Sequence, residues 1–143
     1  MTARGPQADG KHRGTPAWGV VGLLLVLPAA AAVRWLPREG WVMAGVGWFS
    51  LSLFTFLAYR SDKRRAERGE WRIPESTLHL AALLGGWPGA LVAQRVFRHK
   101  TAKWSFQGVF WAMVLLHQYV AADSLFGWRI TRGIFSFVRG WLA

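Results

Sequence analysis

The fold is decided by an uncharged apolar run at residues 41–59, WVMAGVGWFSLSLFTFLAY. As a helix this run would be about 28 Å long, close to the ~30 Å hydrocarbon core of a bilayer. Two further runs, Ala17–Val33 and Trp104–Ala122, also lack Asp, Glu, Lys and Arg. A soluble domain of 143 residues could not bury three such runs in one core. The sequence therefore predicts an all-α, polytopic helical membrane protein.

The net charge of +11 is compatible with nucleic-acid binding, but basic loops beside anionic lipid explain it first in a membrane protein. The chain contains no cysteine, which excludes disulfides, thiolate metal ligands and cysteine nucleophiles. The sequence also lacks a P-loop and a nucleophile motif. We predict a multi-pass protein of the bacterial cytoplasmic (inner) membrane, with the bilayer and its anionic lipids as partners.

The chain divides into three parts. Residues 1–16 are polar and rich in Gly and Pro, which predicts a disordered cytoplasmic tail. Residues 17–123 form the transmembrane domain, whose first two helices run from Ala17 to about Trp35 and from Trp41 to Tyr59. Pro28 is expected to kink the first helix. Small residues near its end imitate a secretory cleavage site, but another apolar run follows, so an uncleaved signal anchor is expected.

Residues 124–143 predict an amphipathic interfacial helix. Arg129, Arg132, Ser136 and Arg139 fall within one arc at 100° per residue, and apolar side chains cover the opposite side. Burial of an arginine near the bilayer centre costs about 2.5–3.5 kcal/mol. The helix is therefore expected to lie in the headgroup layer.

Two structures fit the apolar segment Pro74–Phe97, which GGWPG interrupts at residues 85–89. The first is a continuous, proline-kinked span, in which small residues four apart let a neighbouring helix, a second copy or a membrane-protein partner approach closely. The second is a re-entrant hairpin that turns at the glycines and needs protein around its irregular backbone. We favour the continuous span, which gives about four transmembrane helices.

The charges of the loops barely separate these alternatives. Four spans place 12 basic residues in the cytoplasm and six outside, whereas a re-entrant hairpin gives 13 and five. Both arrangements place the amino terminus in the cytoplasm. The choice matters because a re-entrant hairpin would bring His99 and Lys100 to the membrane face that carries Asp62.

Ionisable residues beside the apolar runs are the catalytic candidates. If the second helix continues past Tyr59, Asp62 shares a face with Tyr59, while Glu75 and His79 are neighbours one turn apart. Such groups suit acid–base chemistry, although a solvated ion pair is the plainer interpretation of Asp62 and Glu75. Their spacing does not preorganise a metal site, so none is predicted, and the cofactor is unknown.

A second group of candidates is basic and suits an anionic headgroup or a phosphate. Its members are Lys63, Arg72, Arg98, His99, Lys100 and Lys103. Tyr59, Gln107 and Gln118 are predicted to be structural polar residues that join helices.

Many of these residues fall into dense motifs that resemble an uncharacterised bacterial membrane family, domain of unknown function 1294 (DUF1294). The resemblance covers about residues 59–110 and rests on YxxDKxxA at 59–66, GxWRIPExxLH at 69–79, LLGGWPGA at 83–90, Gln94 and FRHKTxKxxFQ at 97–107. It implies no particular reaction, substrate or cofactor. Some members carry an amino-terminal cold-shock domain, for which residues 1–16 are too short, so nucleic acid is not expected as a partner here.

Two hypotheses of function follow. In the first, the chain is a non-enzymatic module that binds anionic lipid headgroups or a membrane partner. In the alternative, a small membrane enzyme or metal-dependent protein acts on a phosphorylated lipid. The enzyme requires five side chains to converge in one pocket at the cytoplasmic edge: Tyr59, Asp62, Arg72, Glu75 and His79.

Overall fold

The computed structural model describes residues 17–101 and 103–142, and within these ranges the chain forms helices and turns without any strand. The tail predicted to be disordered, residues 1–16, lies outside the described residues. The all-α class is confirmed. Three segments are long and apolar enough to cross a bilayer, namely Trp18–Trp35, Glu39–Glu67 and Glu75–Phe97. The bent pair Trp104–Leu125 and Arg129–Leu142 adds a fourth if it is counted as one span.

Helices α1 (Ala17–Trp35) and α2 (Arg38–Glu67) form the expected pair joined by a tight turn. Helix α1 passes through Pro28 without ending. Helix α2 continues about two turns beyond Tyr59, because the residues up to Glu67 are mostly good helix formers such as Arg, Lys, Ala and Glu. This extension carries the helix out of its apolar run and through the charged YxxDKxxA motif at 59–66.

Helix α3 (Glu75–Ala81), a π-helical turn (Ala82–Gly86) and helix α4 (Trp87–Phe97) form a hairpin. The chain reverses at Gly85, whose φ of +114° is rarely adopted by residues with a side chain. A straight helix over the 23 residues of this segment would be about 34 Å long. Yet the Lys103 ammonium, just past its end, lies 2.8 Å from the carboxylate of Glu75 at its start. The favoured continuous span is therefore replaced by the hairpin alternative.

The hairpin packs along α2 with its tip toward the α1–α2 turn. At the tip, the indole N–H of Trp48 donates a 2.6 Å hydrogen bond to the carbonyl of Gly85. At the open end, the carboxylate of Asp62 accepts the backbone N–H of Ile73 at 3.0 Å. The 14 residues of α2 between these two contacts span about 21 Å, which is the depth of the hairpin.

Helix α5 (Trp104–Leu125) lies on the other side of the hairpin from α2 and runs parallel to α1. Two hydrogen bonds fix it to α1: Gln118 donates to the carbonyl of Leu24 at 2.8 Å, and Trp35 donates to the carbonyl of Ser124 at 3.2 Å. The hairpin thus occupies the centre of the fold. The largest fully buried apolar side chains lie on the hairpin or on α2 and α5 and are Tyr59, Leu78, Trp87, Phe106, Phe110 and Val114.

Helix α6 (Arg129–Leu142) leaves α5 at an angle of 97°. Asp123 is fully buried at this corner, and its carboxylate accepts the backbone N–H groups of Ile130 and Thr131 at 2.9 and 3.0 Å, as well as the hydroxyl of Thr131. These are first-turn donors that a helix leaves unpaired, so Asp123 caps α6. None of the described side chains of α6 is buried, and its apolar side chains are largely exposed.

Candidate functional site

A buried carboxylate organises the open end of the hairpin. Asp62 is 0% exposed. One oxygen accepts the N–H of Ile73, and the other lies 2.9 Å from Nε2 of His99, 3.2 Å from Nζ of Lys100 and 3.7 Å from the guanidinium of Arg72. A buried charge without partners would strongly destabilise the fold. The hydrogen-bond donors of Ile73, His99 and Lys100, together with the nearby charge of Arg72, prevent that. Asp62 thereby joins α2, the loop before α3 and the turn after α4.

Glu75 binds two of the lysines at the same end. Its carboxylate lies 3.6 Å from the ammonium of Lys100 and 2.8 Å from that of Lys103. The side chain of Lys100 is only 5% exposed, so it is a buried bridge between the carboxylates of Asp62 and Glu75. We use the name Asp62 cluster for the side chains joined in this way, which are Asp62, Arg72, Glu75, His99, Lys100 and Lys103.

The turn that supplies His99 and Lys100 has an uncommon backbone. Arg98 has φ of +47° and Lys100 has φ of +60°, although neither is glycine. Each left-handed residue of this kind costs about 1–3 kcal/mol and persists only where its surroundings hold it. The contacts from Asp62 supply that restraint, so the turn and the buried carboxylate depend on each other.

Phe106 connects two further candidates to the cluster. The His79 ring stacks on Phe106 at 4.2 Å, the Tyr59 ring meets it edge-on at 6.2 Å, and the Lys100 ammonium lies 5.0 Å from its centre. Gln94 donates a 3.4 Å hydrogen bond to the hydroxyl of Tyr59. Nδ1 of His79 is buried without a hydrogen-bond partner among the described residues. The side chains required by the pocket hypothesis therefore meet at one end of the fold.

The remaining candidates lie around or away from this cluster. Lys63 donates to the carbonyl of Phe97 at 2.9 Å and pairs with Glu67 at 3.5 Å, while Arg98 is exposed. Gln107 donates to the carbonyl of Lys100 at 2.8 Å and thus supports the turn. Gln118, which binds α1, is nearer the opposite end of the bundle.

Two contributors were missed by sequence reasoning. Gln94 is 2% exposed and accepts a 2.6 Å hydrogen bond from Gln107, so it links α4 to α5 beneath the cluster. In the sequence, only its position among the family motifs distinguished Gln94 from other polar residues. Trp71 is 87% exposed and lines the cleft described next, where its neighbour Arg72 was already a candidate.

An open cleft of about 430 Å³ lies beside the Asp62 cluster and is lined by Trp71, Arg72, Ile73, Pro74, Glu75 and Lys100. The side chain of Arg72 is 52% exposed and can present its remaining N–H groups to a ligand. Across the cluster, two carboxylates face two lysines and one arginine, before any charge on His99 is counted. This excess of positive charge suits an anion.

The described side chains at this position are not arranged as a set of metal ligands. Within residues 17–101 and 103–142, no three His, Asp or Glu side chains are grouped closely enough to ligate an ion. Asp62 and Glu75 are instead held together through Lys100, which would repel a cation from the space between them. The described side chains at this site therefore carry an excess of positive charge.

Comparison with known proteins confirms the resemblance seen in the motifs. The family described as "Protein of unknown function (DUF1294)" matches residues 52–106, which contain the hairpin and every member of the Asp62 cluster. The uncharacterized protein YsdA of Bacillus subtilis (strain 168) is 39% identical over 57 residues, or 40% of this chain. The match spans 64% of that relative, less than two thirds of its length. No solved structure matches the chain.

Proposed function

We propose that this chain, whose segment 52–106 matches a family of unknown function, is a membrane-embedded module that binds the anionic headgroup of a phospholipid. The binding site is the cleft at Arg72 and Lys100. The observation that carries the proposal is the excess of cations in an open cleft at the mouth of the hairpin. Arg and Lys beside a bilayer bind lipid phosphates through charge-assisted hydrogen bonds.

The placement of aromatic and apolar side chains supports a membrane location. Along α2, the residues from Trp41 to Asp62 span about 32 Å, close to the ~30 Å hydrocarbon thickness. Exposed tryptophans lie at both ends of this interval, Trp35 and Trp41 at one end and Trp71 at the other, as expected for headgroup anchors. In this arrangement α1, α2 and α5 cross the bilayer, whereas the α3–α4 hairpin enters by about 21 Å and returns.

The positive-inside rule supports a cytoplasmic cleft. With three crossings, 13 basic residues lie on the side of the Asp62 cluster and five on the other side. The amino terminus then lies on the cytoplasmic side. Helix α6 lies in the headgroup layer of the opposite face, rather than inside as four spans would require.

The engagement of both carboxylates supports binding rather than catalysis. A general base needs a lone pair that points at the substrate. The Asp62 carboxylate is instead fully buried, bound by three donors and paired with Arg72. Glu75 is held by two lysines. His79 is the remaining candidate for acid–base chemistry, because its Nδ1 has no partner among the described residues. An enzyme acting on a phosphorylated lipid is thus the second candidate function, and it depends on His79.

Native mass spectrometry of the purified protein with phosphatidylglycerol or phosphatidylcholine tests the proposal. We expect the wild type to retain phosphatidylglycerol preferentially, and Arg72→Gln to weaken that binding about fivefold, as for loss of one basic contact worth ~1 kcal/mol. Arg64→Gln is the matched control, since Arg64 is an exposed arginine of α2 outside the cleft. Equal retention of both lipids, or an equal effect of both substitutions, would reject the headgroup site.

The same preparation separates binding from catalysis. Incubation with a phosphatidic acid should leave the lipid intact if the chain only binds it. Release of phosphate that is abolished by His79→Ala would favour the enzymatic candidate instead.

A further inference from the structure

We propose that the chain has a second lipid site, a groove on another face of α2 that holds one acyl chain of an anionic phospholipid. The groove has a volume of about 510 Å³ and lies between α1, α2 and α4. Its lining is apolar apart from the Ser52 hydroxyl and the indole N–H groups of Trp18 and Trp48. It also includes Leu25, Ala29, Gly45, Phe56 and Val92. None of these residues belongs to the Asp62 cluster.

The packing of α1 explains why the groove exists. A two-residue turn joins α1 to α2, yet α1 makes its main contacts with α5 and α4 rather than with α2. Antiparallel neighbours joined by so short a turn usually pack along their whole length. Here they diverge, so the flank of α4 that carries Pro88 and Val92 is left as the floor of an open groove.

Water is a poor occupant of this groove. A buried water needs two to four polar partners, but the side chains of the lining offer only the Ser52 hydroxyl and two indole N–H groups, and none is charged. The indole N–H of Trp48 is already bonded to Gly85. The groove lies within the apolar stretches of α1, α2 and α4, where hydrocarbon is the surrounding solvent in the proposed placement.

The size of the groove favours a lipid chain over a protein helix. A helix with side chains is about 10 Å wide, so roughly 510 Å³ would hold only about 6–7 Å of its length. That is about one helical turn, too little contact for a partner helix or a second copy. An acyl chain is far thinner and can follow the groove from the level of Ala29 to that of Phe56.

A basic rim indicates which lipid the groove would take. On α2, Arg60 and Lys63 follow Phe56 by four and seven residues, so they continue the face that lines the groove. On α4, Arg95 follows Val92 by three residues. A chain lying in the groove would therefore place its headgroup beside cations, which favours a phospholipid with net negative charge. This site does not depend on the Arg72 cleft.

Two glycines of α2 allow a matched test. A Cβ added at Gly45 or at Gly47 meets nothing within 4 Å, so either position accepts a side chain without a clash. Gly45 lines the groove, whereas Gly47 lies about 160° around the helix from it. Gly45→Leu should fill the groove, and Gly47→Leu should make an equal change of helix propensity and apolarity on the outer face.

The experiment uses phosphatidylglycerol with a photoactivatable acyl chain, incorporated in vesicles with the full chain, and maps the labelled peptides. We expect labelling concentrated at residues 45–56 and 88–92, lost in Gly45→Leu and kept in Gly47→Leu. Arg60→Gln should reduce this labelling toward that obtained with the phosphatidylcholine analogue. Circular dichroism verifies that each variant is folded.

Other outcomes would overturn the proposal. Labelling of the outward side chains Met43 and Phe54 as strongly as the groove would mean ordinary surrounding lipid only. Cross-links between two copies through the groove would assign it to an oligomer interface. Loss of labelling in Arg72→Gln but not in Arg60→Gln would assign the lipid to the cleft and reject the groove. The reverse result supports the groove and leaves the cleft to be decided by the lipid-retention experiment above, so the two proposals can fail separately.

Discussion

Two buried aspartates at opposite ends of the bundle are stabilised in different ways. Asp62 and Asp123 are both 0% exposed. Asp123 is satisfied by a stretch of chain seven and eight residues away, through two backbone N–H groups and a hydroxyl. Asp62 is satisfied by Ile73, Arg72, His99 and Lys100, up to 38 residues distant, and mainly through cationic side chains.

The difference separates a structural corner from the proposed binding site. Donors on the following helix bind the carboxylate of Asp123, and Arg132 of the same helix adds a favourable charge, so its partners all belong to one neighbouring segment. The three positive charges around Asp62 and Glu75 outnumber the two negative charges of these carboxylates. Arg72 and Lys100 also line an open cleft. A buried acid that gathers distant cations is therefore the better indicator of function than one that caps a helix.

Asp62→Asn should have the largest effect on stability, because it removes the buried carboxylate and leaves the nearly buried Lys100 with only its longer, 3.6 Å contact to Glu75. Removal of one member of a buried ion pair costs about 3–5 kcal/mol. Unfolding in mild detergent, followed by circular dichroism against denaturant, measures this loss. The double variant Asp62→Asn with Lys100→Met should recover part of it, and a single variant as stable as wild type would show that the cluster is not a structural unit.

Gly89→Ala tests whether the Asp62 cluster depends on close packing of the hairpin against α2. An added Cβ would lie 1.8 Å from the backbone carbonyl oxygen of Ser52, so the hairpin would have to move away from α2. Overpacking of this kind costs about 1–3 kcal/mol. Gly45→Ala, at an open position of α2, serves as the control and should be neutral or slightly stabilising. Equal stability of the two variants would contradict the close packing at Gly89.

Asp123→Ala should have a smaller and local effect. Loss of the cap exposes the first-turn N–H groups of α6, so hydrogen exchange at Ile130 and Thr131 should accelerate while exchange near Asp62 stays unchanged. Hydrogen-exchange mass spectrometry resolves the two regions. A loss of protection that extended to the hairpin would show that both aspartates serve one cooperative unit.

The smallest effect is expected for Lys103→Ala. The Lys103–Glu75 pair is short at 2.8 Å, but the two side chains are 56% and 37% exposed. Exposed pairs contribute about 0.2–1 kcal/mol, so stability should change little in the same denaturant titration. A loss as large as that of Asp62→Asn would mean that the exposed pair, not the buried one, holds the hairpin mouth closed.

The sequence predicted the parts of the fold that depend on local chemistry. The uncharged run bounded by tryptophans predicted α1 at Ala17–Trp35. The alternation of polar and apolar residues at helical spacing predicted α6. The motif residues Asp62, Glu75 and His79 were identified from charge beside apolar runs. These signals are visible in single segments, so no knowledge of packing was needed.

The direction of Pro74–Phe97 could not be predicted, because both alternatives give nearly the same balance of basic residues across the membrane. The reversal depends on the backbone of Gly85 and on contacts such as Trp48 with Gly85, which no local pattern reveals. The role of Asp123 was missed for a similar reason. Its partners lie across a turn, and the sequence was interpreted as one helix over residues 124–143.

Labelling of single cysteines tests the central claim, that the hairpin returns to the face of Asp62, most directly. The chain is naturally free of cysteine, and Glu70, Thr101 and Ser136 are exposed positions before the hairpin, after it and on α6. In sealed right-side-out vesicles and intact cells, we predict that Glu70→Cys and Thr101→Cys resist an impermeant maleimide while Ser136→Cys reacts. Lysed membranes should label all three. Reaction of Thr101→Cys from outside, with Glu70→Cys and Ser136→Cys both protected, would show four spans and contradict the hairpin, the cluster and the cleft together.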